Sequence, residues 1–166
     1  MATRPIRYFG DPILNSAAAP VARFDASLEA LVRDMFATMD SAGGVGLAAN
    51  QIGVARRVFV FDCQGMRGAL VNPVWRPLGH ATQTGAEGCL SIPGVRAPVT
   101  RHAQVIATGA DRDGRAVTIR AGGLLARCIQ HETDHLDGVL FLARMEPQDR
   151  QEAMAAIRAA DWFQRL

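Results

Sequence analysis

Two histidines four residues apart, with a glutamate directly after the first, occupy the run His131-Glu132-Thr133-Asp134-His135. On a helix such positions lie about 40° apart in azimuth and one turn apart along the axis, so both imidazoles can reach a single ion. Glu132 falls at their edge. It is poorly placed as a direct ligand and well placed to take a proton from a water beside that ion. Two histidines at this spacing on a polar face are often coincidence, but the complete pattern on a helix marks a metallohydrolase. The pattern specifies no substrate.

Catalytic sites of this kind usually take three protein ligands and keep one position for water, so one ligand is still to be found. Cys89, in Glu87-Gly88-Cys89-Leu90-Ser91, is the candidate, because a thiolate binds divalent ions strongly and the adjacent glycine allows close backbone approach. A free cysteine is also commonly a small buried hydrophobe, and taken alone Cys89 fits that role as well. Cys63 follows an apolar strand and reads as a packing residue. Cys128 reads as packing too, yet it lies three residues before His131 on the same face and so borders a substrate pocket. His80 and His102, in a loop and at the start of a strand, read as surface or core histidines.

A third segment, Gly43-Gly44-Val45-Gly46-Leu47-Ala48-Ala49-Asn50-Gln51, is rich in glycine. It is no phosphate cradle, because no Lys-Ser/Thr follows it and a strand rather than a helix is predicted next. Its small residues let a peptide backbone lie close, with Gln51 offering an amide N–H to a developing oxyanion. A tight turn leading into a strand is the alternative.

The elements that must position these residues can be read from periodicity. Leu28, Leu31, Val32, Met35, Phe36 and Met39 recur at helical spacing, with Asp25 or Ser27 as N-cap and Gly43-Gly44 as the stop. Val58-Phe59-Val60-Phe61 and Leu70-Val71 are short apolar runs bounded by turn formers, as strands are. Gln104 to Thr108 and Ala116 to Arg120 flank Asp111-Arg112-Asp113-Gly114, a hairpin turn. Leu124 to Leu136 returns to helical character and closes at Asp137-Gly138. Pro147 suits the first turn of a last helix carrying Met154, Ile157 and Trp162 or Phe163. The expected fold is α+β: a single domain, 1–166, of short, mainly antiparallel strands around a central metal-binding helix, with N-terminal and C-terminal helices.

Composition narrows the function. All 18 basic residues counted as Lys+Arg are arginines, which excludes a Schiff-base or phosphate-loop lysine. They are scattered from Arg4 to Arg165, without the basic stripe of a dedicated nucleic-acid binder, although a weak ribosome contact is compatible with them. Three scattered cysteines make no disulfide framework. With neither a signal-like run at Met1–Tyr8 nor a membrane-length apolar segment, a cytoplasmic location is expected.

Taken together, three segments resemble the peptide deformylase family: Gly44 to Gln51, Glu87 to Ser91, and Gln130 to Gly138, in the family's order and approximate spacing. The resemblance runs from about Ile6 to Met145. It implies hydrolysis of the N-formyl group from the formylmethionine of new polypeptides, with Cys89, His131 and His135 as metal ligands and Glu132 as the proton shuttle. Gln51 and the backbone N–H of Leu90 would stabilise the oxyanion. Val45, Gly46 and Gly88 would border a peptide bound like an added strand, with Arg96 contacting it further along. The implied ion is Fe(II), replaceable by Zn(II), Ni(II) or Co(II), and the implied partners are formylmethionyl peptides and nascent chains.

Two departures bear on specificity. The segment before the second motif is slightly short and reads Ala86-Glu87 where many relatives carry two acidic residues. Arg127 stands where an aliphatic residue is expected beside the methionine pocket; either it turns outward or the pocket differs, since a buried unpaired guanidinium is costly. A deformylase-like hydrolase with altered peptide specificity is therefore the alternative, ahead of a zinc endopeptidase or an inactive metal-binding protein.

Overall fold

The computed structural model describes residues 1–165. Asp25 accepts hydrogen bonds from the Ser27 and Leu28 amides and starts α1 (Ala26–Ala42), which ends at Gly43 with φ +67°. Satisfying the free amides of the first turn in this way is what makes aspartate a good N-cap. Seven strands follow: β1 (Gly46–Ala48), β2 (Val58–Cys63), β3 (Met66–Pro77), β4 (Thr82–Cys89), β5 (Ile92–His102), β6 (Gln104–Ala110) and β7 (Ala116–Gly122). The chain then forms α2 (Gly123–Leu136), α3 (Pro147–Ala159) and a single turn, α4 (Asp161–Gln164).

Five strands build one antiparallel sheet in the order β1-β2-β3-β6-β7, while β4 and β5 form a separate antiparallel ribbon. Each strand run expected from the sequence lies within a longer strand. Residues 58–61 of β2 are buried without alternation because both faces of the sheet are covered. On one face Leu28, Val32, Met35 and Met39 of α1 pack against Leu47, Val58, Val60 and Val71. On the other, Leu125, Ala126, Ile129 and Leu136 of α2 pack against Phe59, Phe61, Leu70 and Ala107. A third cluster joins β5 to α3 through Ile92, Val95, Val99, Phe141 and Ile157. Between sheet and ribbon, every residue of α2 from Leu125 to Leu136 is buried, as a helix central to the molecule must be.

Three elements differ from expectation. The β4–β5 ribbon has no counterpart in the sequence reading: Thr-Gln-Thr-Gly-Ala-Glu-Gly-Cys of β4 lacks the apolar alternation by which strands are recognised, and β5, where Val95, Ala97 and Val99 do alternate, is interrupted by Pro93, Gly94 and Pro98. The segment expected as a loop before Gln51 contains β1 and a 3-10 turn at Ala49–Ile52. The last helix stops at Ala159, since Ala160 is extended with ψ 134°. Trp162 and Phe163 therefore leave the α3 axis: the Trp162 indole donates to Pro93 O at 3.0 Å, and its ring packs on Tyr8 at 5.4 Å between centroids. Among the described residues, no helix is long and apolar enough to cross a membrane.

Asn72 holds the N-terminal segment to the sheet. It sits in β3 at φ +51°, beside the register shift between Val71 and Val74. Its side chain accepts from Val21 N at 2.8 Å and donates to Val21 O at 2.9 Å, completing a backbone-like pair. Replacing Asn72 by Ala strands both Val21 groups and is expected to cost about 1–3 kcal/mol of stability, measured as a lower urea midpoint at unchanged slope.

Candidate metal centre

Cys89, His131 and His135 offer three ligand atoms that all lie within 4.8 Å of one another. The Cys89 sulfur is 3.3 Å from His135 Nε2, and the two Nε2 atoms are 3.2 Å apart. The histidines come from successive turns of α2, as their spacing requires, and their rings meet edge to face at 68°. Cys89 arrives from the end of β4, where the register slips between Gly88 and Cys89, and this irregularity turns the last residue toward the helix.

The donor set fits a divalent cation. Soft sulfur and two imidazoles suit a first-row transition metal, with three protein ligands as in catalytic rather than structural sites. Electrostatics agree. Burial, reinforced by the neighbouring His131 and Arg101 charges, holds His135 well below the usual imidazole range, so it is neutral as a ligand must be. Burial also favours neutral His131, but its hydrogen bonds to Cys89 and Glu87 outweigh this and draw it well above that range. Sulfur and two ring nitrogens so close together form a donor set that a divalent ion can join.

Glu132 lies beside this cluster, fully covered by β1. A Cβ added at Gly46 would fall 2.6 Å from Glu132 Oε1 and 2.8 Å from Cys128 Sγ, so only glycine lets the strand come this close. Burial raises the Glu132 carboxyl to about 7; His131 and Arg101 pull it down, and Glu87 pushes it further up. Its Oε2 is buried with no hydrogen-bond partner among the described residues. An unpaired carboxylate oxygen with an affinity for protons near neutrality can exchange one at little cost.

Gln51, 1 % exposed, sits in the 3-10 turn after β1. Its Oε1 accepts from Ala48 N at 2.9 Å, which fixes the amide so that Nε2 faces Ser91 Oγ at 3.0 Å and Cys89 Sγ at 3.8 Å. Leu90 lies in the turn that joins β4 to β5. Asn50, next to Gln51, donates to the His135 carbonyl and ties this turn to the end of α2. Val45 is 43 % exposed at the rim, and Cys128, buried, approaches its carbonyl at 3.7 Å. Burial pushes the Cys128 thiol well up, so it is no thiolate ligand. Arg96 is exposed and lies across Gly88, donating to Ala86 O at 3.3 Å. Every residue singled out from the sequence therefore lies at or around one centre. The two histidines set aside do not: His80 is in a bend, and His102, at the end of β5 rather than its start, packs on Trp75.

What the sequence reading missed is the support behind His131. Glu87 accepts His131 Nδ1 at 2.5 Å, Arg101 Nη2 at 2.6 Å and Arg127 Nη1 at 2.6 Å. Arg101 also donates to Asp134 at 2.6 Å, and Arg144 grips that same carboxylate through Nε and Nη2 at 3.1 and 2.8 Å. Burial alone would raise the Glu87 carboxyl, but His131 and Arg101 hold it far below the usual range, so it is ionised. The outward-turned alternative for Arg127 is thereby corrected: it turns inward, 6 % exposed, and is paired rather than stranded. The signal was present, since a buried arginine demands a carboxylate; the sequence did not say which one.

Residues 3–151 match the family model described as polypeptide deformylase. The chain belongs to the polypeptide deformylase family. Peptide deformylase 1 of Corynebacterium efficiens is 62% identical over 98% of this chain and 99% of its own length. A peptide deformylase of Acidothermus cellulolyticus is 53% identical, over 98% and 89%. Among solved structures, a deformylase from Legionella pneumophila superposes with a TM-score of 0.89 at 42% identity, covering 95% of both chains. One from Synechococcus elongatus, solved in complex with actinonin, gives 0.89 at 40% identity, covering 98% of this chain and 91% of its own. The antiparallel sheets and helices described above are thus the fold of this family.

Glu87 fixes the ring orientation of a ligand, and loss of such a partner typically weakens metal binding about 10–100-fold. Glu87→Gln presents an amide N–H to two guanidinium groups and is expected to lower zinc affinity by that factor, read by competition with a chromogenic chelator.

Proposed function

We propose that the chain hydrolyses the N-formyl group from the N-terminal formylmethionine of newly synthesised polypeptides, as one deformylase-like domain over residues 1–166. The observation that carries this is the meeting of Cys89, His131 and His135 beside a buried carboxylate with an unpaired oxygen, in a chain of this family. A divalent cation held by those three side chains supplies Lewis acidity, polarising a carbonyl and acidifying a water.

The chain's own residues do the rest. Glu132 takes the proton of the attacking water and afterwards gives it to the departing amine, the two-way traffic that a carboxyl near 7 permits. The Gln51 amide, prevented from flipping by Ala48 N–H, and the Leu90 backbone N–H donate to the oxygen that gains charge. Because Ala48 already fixes the Gln51 amide, this donor needs no rearrangement as the charge develops. Gly46 admits the formyl end close to Glu132, which leaves little room for a larger acyl group. Among the described residues β1 is paired only with β2 and β4 only with β5, so both present an edge along which a peptide can add as a strand. Val45, Gly46 and Gly88 border that path, Cys128 lies beneath it and Arg96 lies beyond it.

Fe(II) is proposed as the ion in the cell, with Zn(II), Ni(II) or Co(II) able to replace it; sulfur and imidazole donors support the whole set. The reading places the protein in the cytoplasm, acting on nascent chains, with no more than weak ribosome contact and no membrane or sequence-specific nucleic-acid partner. An anaerobic assay of the iron-loaded protein on formyl-Met-Ala-Ser tests it: formate release is expected, and an inert, metal-replete protein would overturn the proposal. Glu132→Ala should lose at least about 100-fold in turnover while its metal content, measured by elemental analysis, stays at the wild-type level. Turnover close to wild type in that variant would remove Glu132 from the mechanism.

A further inference from the structure

Among the described residues Arg127 donates through one nitrogen only. Its Nη1 donates both to Glu87 Oε2 at 2.6 Å and to Val99 O at 2.9 Å. Nη2 donates to no protein atom among the described residues. The side-chain atoms that are both buried and unpartnered are Asn50 Oδ1, His102 Nδ1, Glu132 Oε2 and His135 Nδ1. Arg127 Nη2 is not one of them, so it keeps access to solvent although the side chain is mostly covered. That access lies at Gly85, where an added Cβ would meet Nη2 at 3.6 Å and nothing else within 4 Å. Gly85 and Glu87 alternate onto the same face of β4, so the gap over Gly85 faces α2.

This gap adjoins the metal centre. Arg127 precedes His131 by four residues, about 6 Å along the axis of α2. Leu124, one turn before Cys128 on α2, and Val45, whose carbonyl Cys128 approaches, are 45% and 43% exposed and offer apolar surface. With a formyl group at Glu132 and the ligand cluster, the first side chain of the peptide has this surface within reach, and a methionine-length chain spans the turn.

We infer that Arg127 is a specificity-determining residue whose Nη2 N–H meets the far end of the substrate's first side chain, favouring one that ends in a neutral hydrogen-bond acceptor over an isosteric hydrocarbon. The inference rests on the deformylase reading above. Glu87 already balances the guanidinium charge, so what Nη2 offers is a charge-assisted hydrogen bond rather than an unpaired positive charge. A neutral acceptor gains that bond without bringing a second charge beside the exposed apolar side chains of Val45 and Leu124. Thioether sulfur is a weak acceptor, whereas its sulfoxide is strongly polar.

The test compares kcat/KM for formyl-methionine sulfoxide-Ala-Ser and formyl-norleucine-Ala-Ser in the wild type, Arg127→Leu and Gly85→Ala, all loaded with the same metal. The sulfoxide-to-norleucine ratio is expected to fall roughly tenfold to hundredfold in Arg127→Leu, the range for losing a hydrogen bond to a charged group. Gly85→Ala leaves the Arg127–Glu87 pair intact but sets a methyl group against Nη2, and it should shift the ratio in the same direction. An unchanged ratio in folded Arg127→Leu overturns the inference; should that variant fail to fold, an unchanged ratio in Gly85→Ala does so. Wild-type protein that releases no formate even from formyl-Met-Ala-Ser would overturn the deformylase reading itself, and this inference with it.

Discussion

The metal centre depends on one buried carboxylate. Glu87 is 4% exposed, projects from β4, and is gripped by a guanidinium from β5, a second from α2 and the Nδ1 of His131. Ionised and dehydrated, it would be severely destabilising without those partners. With them it becomes the point where ribbon and helix are held in one register. Networks of this kind contribute little net stability, because desolvation cancels most of the attraction, yet removing a single partner costs about 3–5 kcal/mol. The arrangement is therefore best understood as specifying geometry. It sets the rotation of the His131 ring, and through the shared strand it fixes where Cys89, two residues further on, enters the centre.

A second carboxylate extends the same logic away from the ion. Asp134 faces Arg101 and Arg144, so Arg101 bridges two acids on two different elements. His131, Asp134 and His135 thus share α2 with opposite duties, two as candidate ligands and one as an anchor for the guanidinium that holds Glu87. The helix is buried along almost its whole length, yet it carries more polar groups than an ordinary core helix. That combination is tolerable because nearly every one of them has a partner. The exceptions, Glu132 Oε2 and His135 Nδ1, lie at the centre itself.

The other requirement is close approach. β1 comes so near to α2 that no side chain fits at Gly46, and Gln51 is locked by the Ala48 amide just beyond it. The apolar packing of α2 under the five-stranded sheet brings these parts together, and the ribbon closes the opposite side. The reactive groups occupy the seam between two sheets, with free strand edges beside them and a helix through the middle.

Much of this was legible in the residues. Helical periodicity gave α1 and α2 nearly to the residue, and the His131–His135 spacing put two imidazoles on one face before any fold was known, because both depend on local backbone geometry alone. Residue chemistry made Glu132, Cys89 and Gln51 candidates, and the resemblance of three short segments singled them out. The β4–β5 ribbon was not legible, since β4 is held by cross-strand pairing without apolar alternation and β5 is interrupted by Pro93 and Pro98, nor was the break at Ala160. Arg127 shows the boundary most clearly. Its sequence position announced a charge where an apolar residue was expected, but whether that charge was exposed, stranded or paired depended on Glu87, 40 residues away. Sequence by itself determined which local elements form and which side chains they display; the tertiary structure alone decided who meets whom, because a buried charge is settled by partners that only folding brings within hydrogen-bond range.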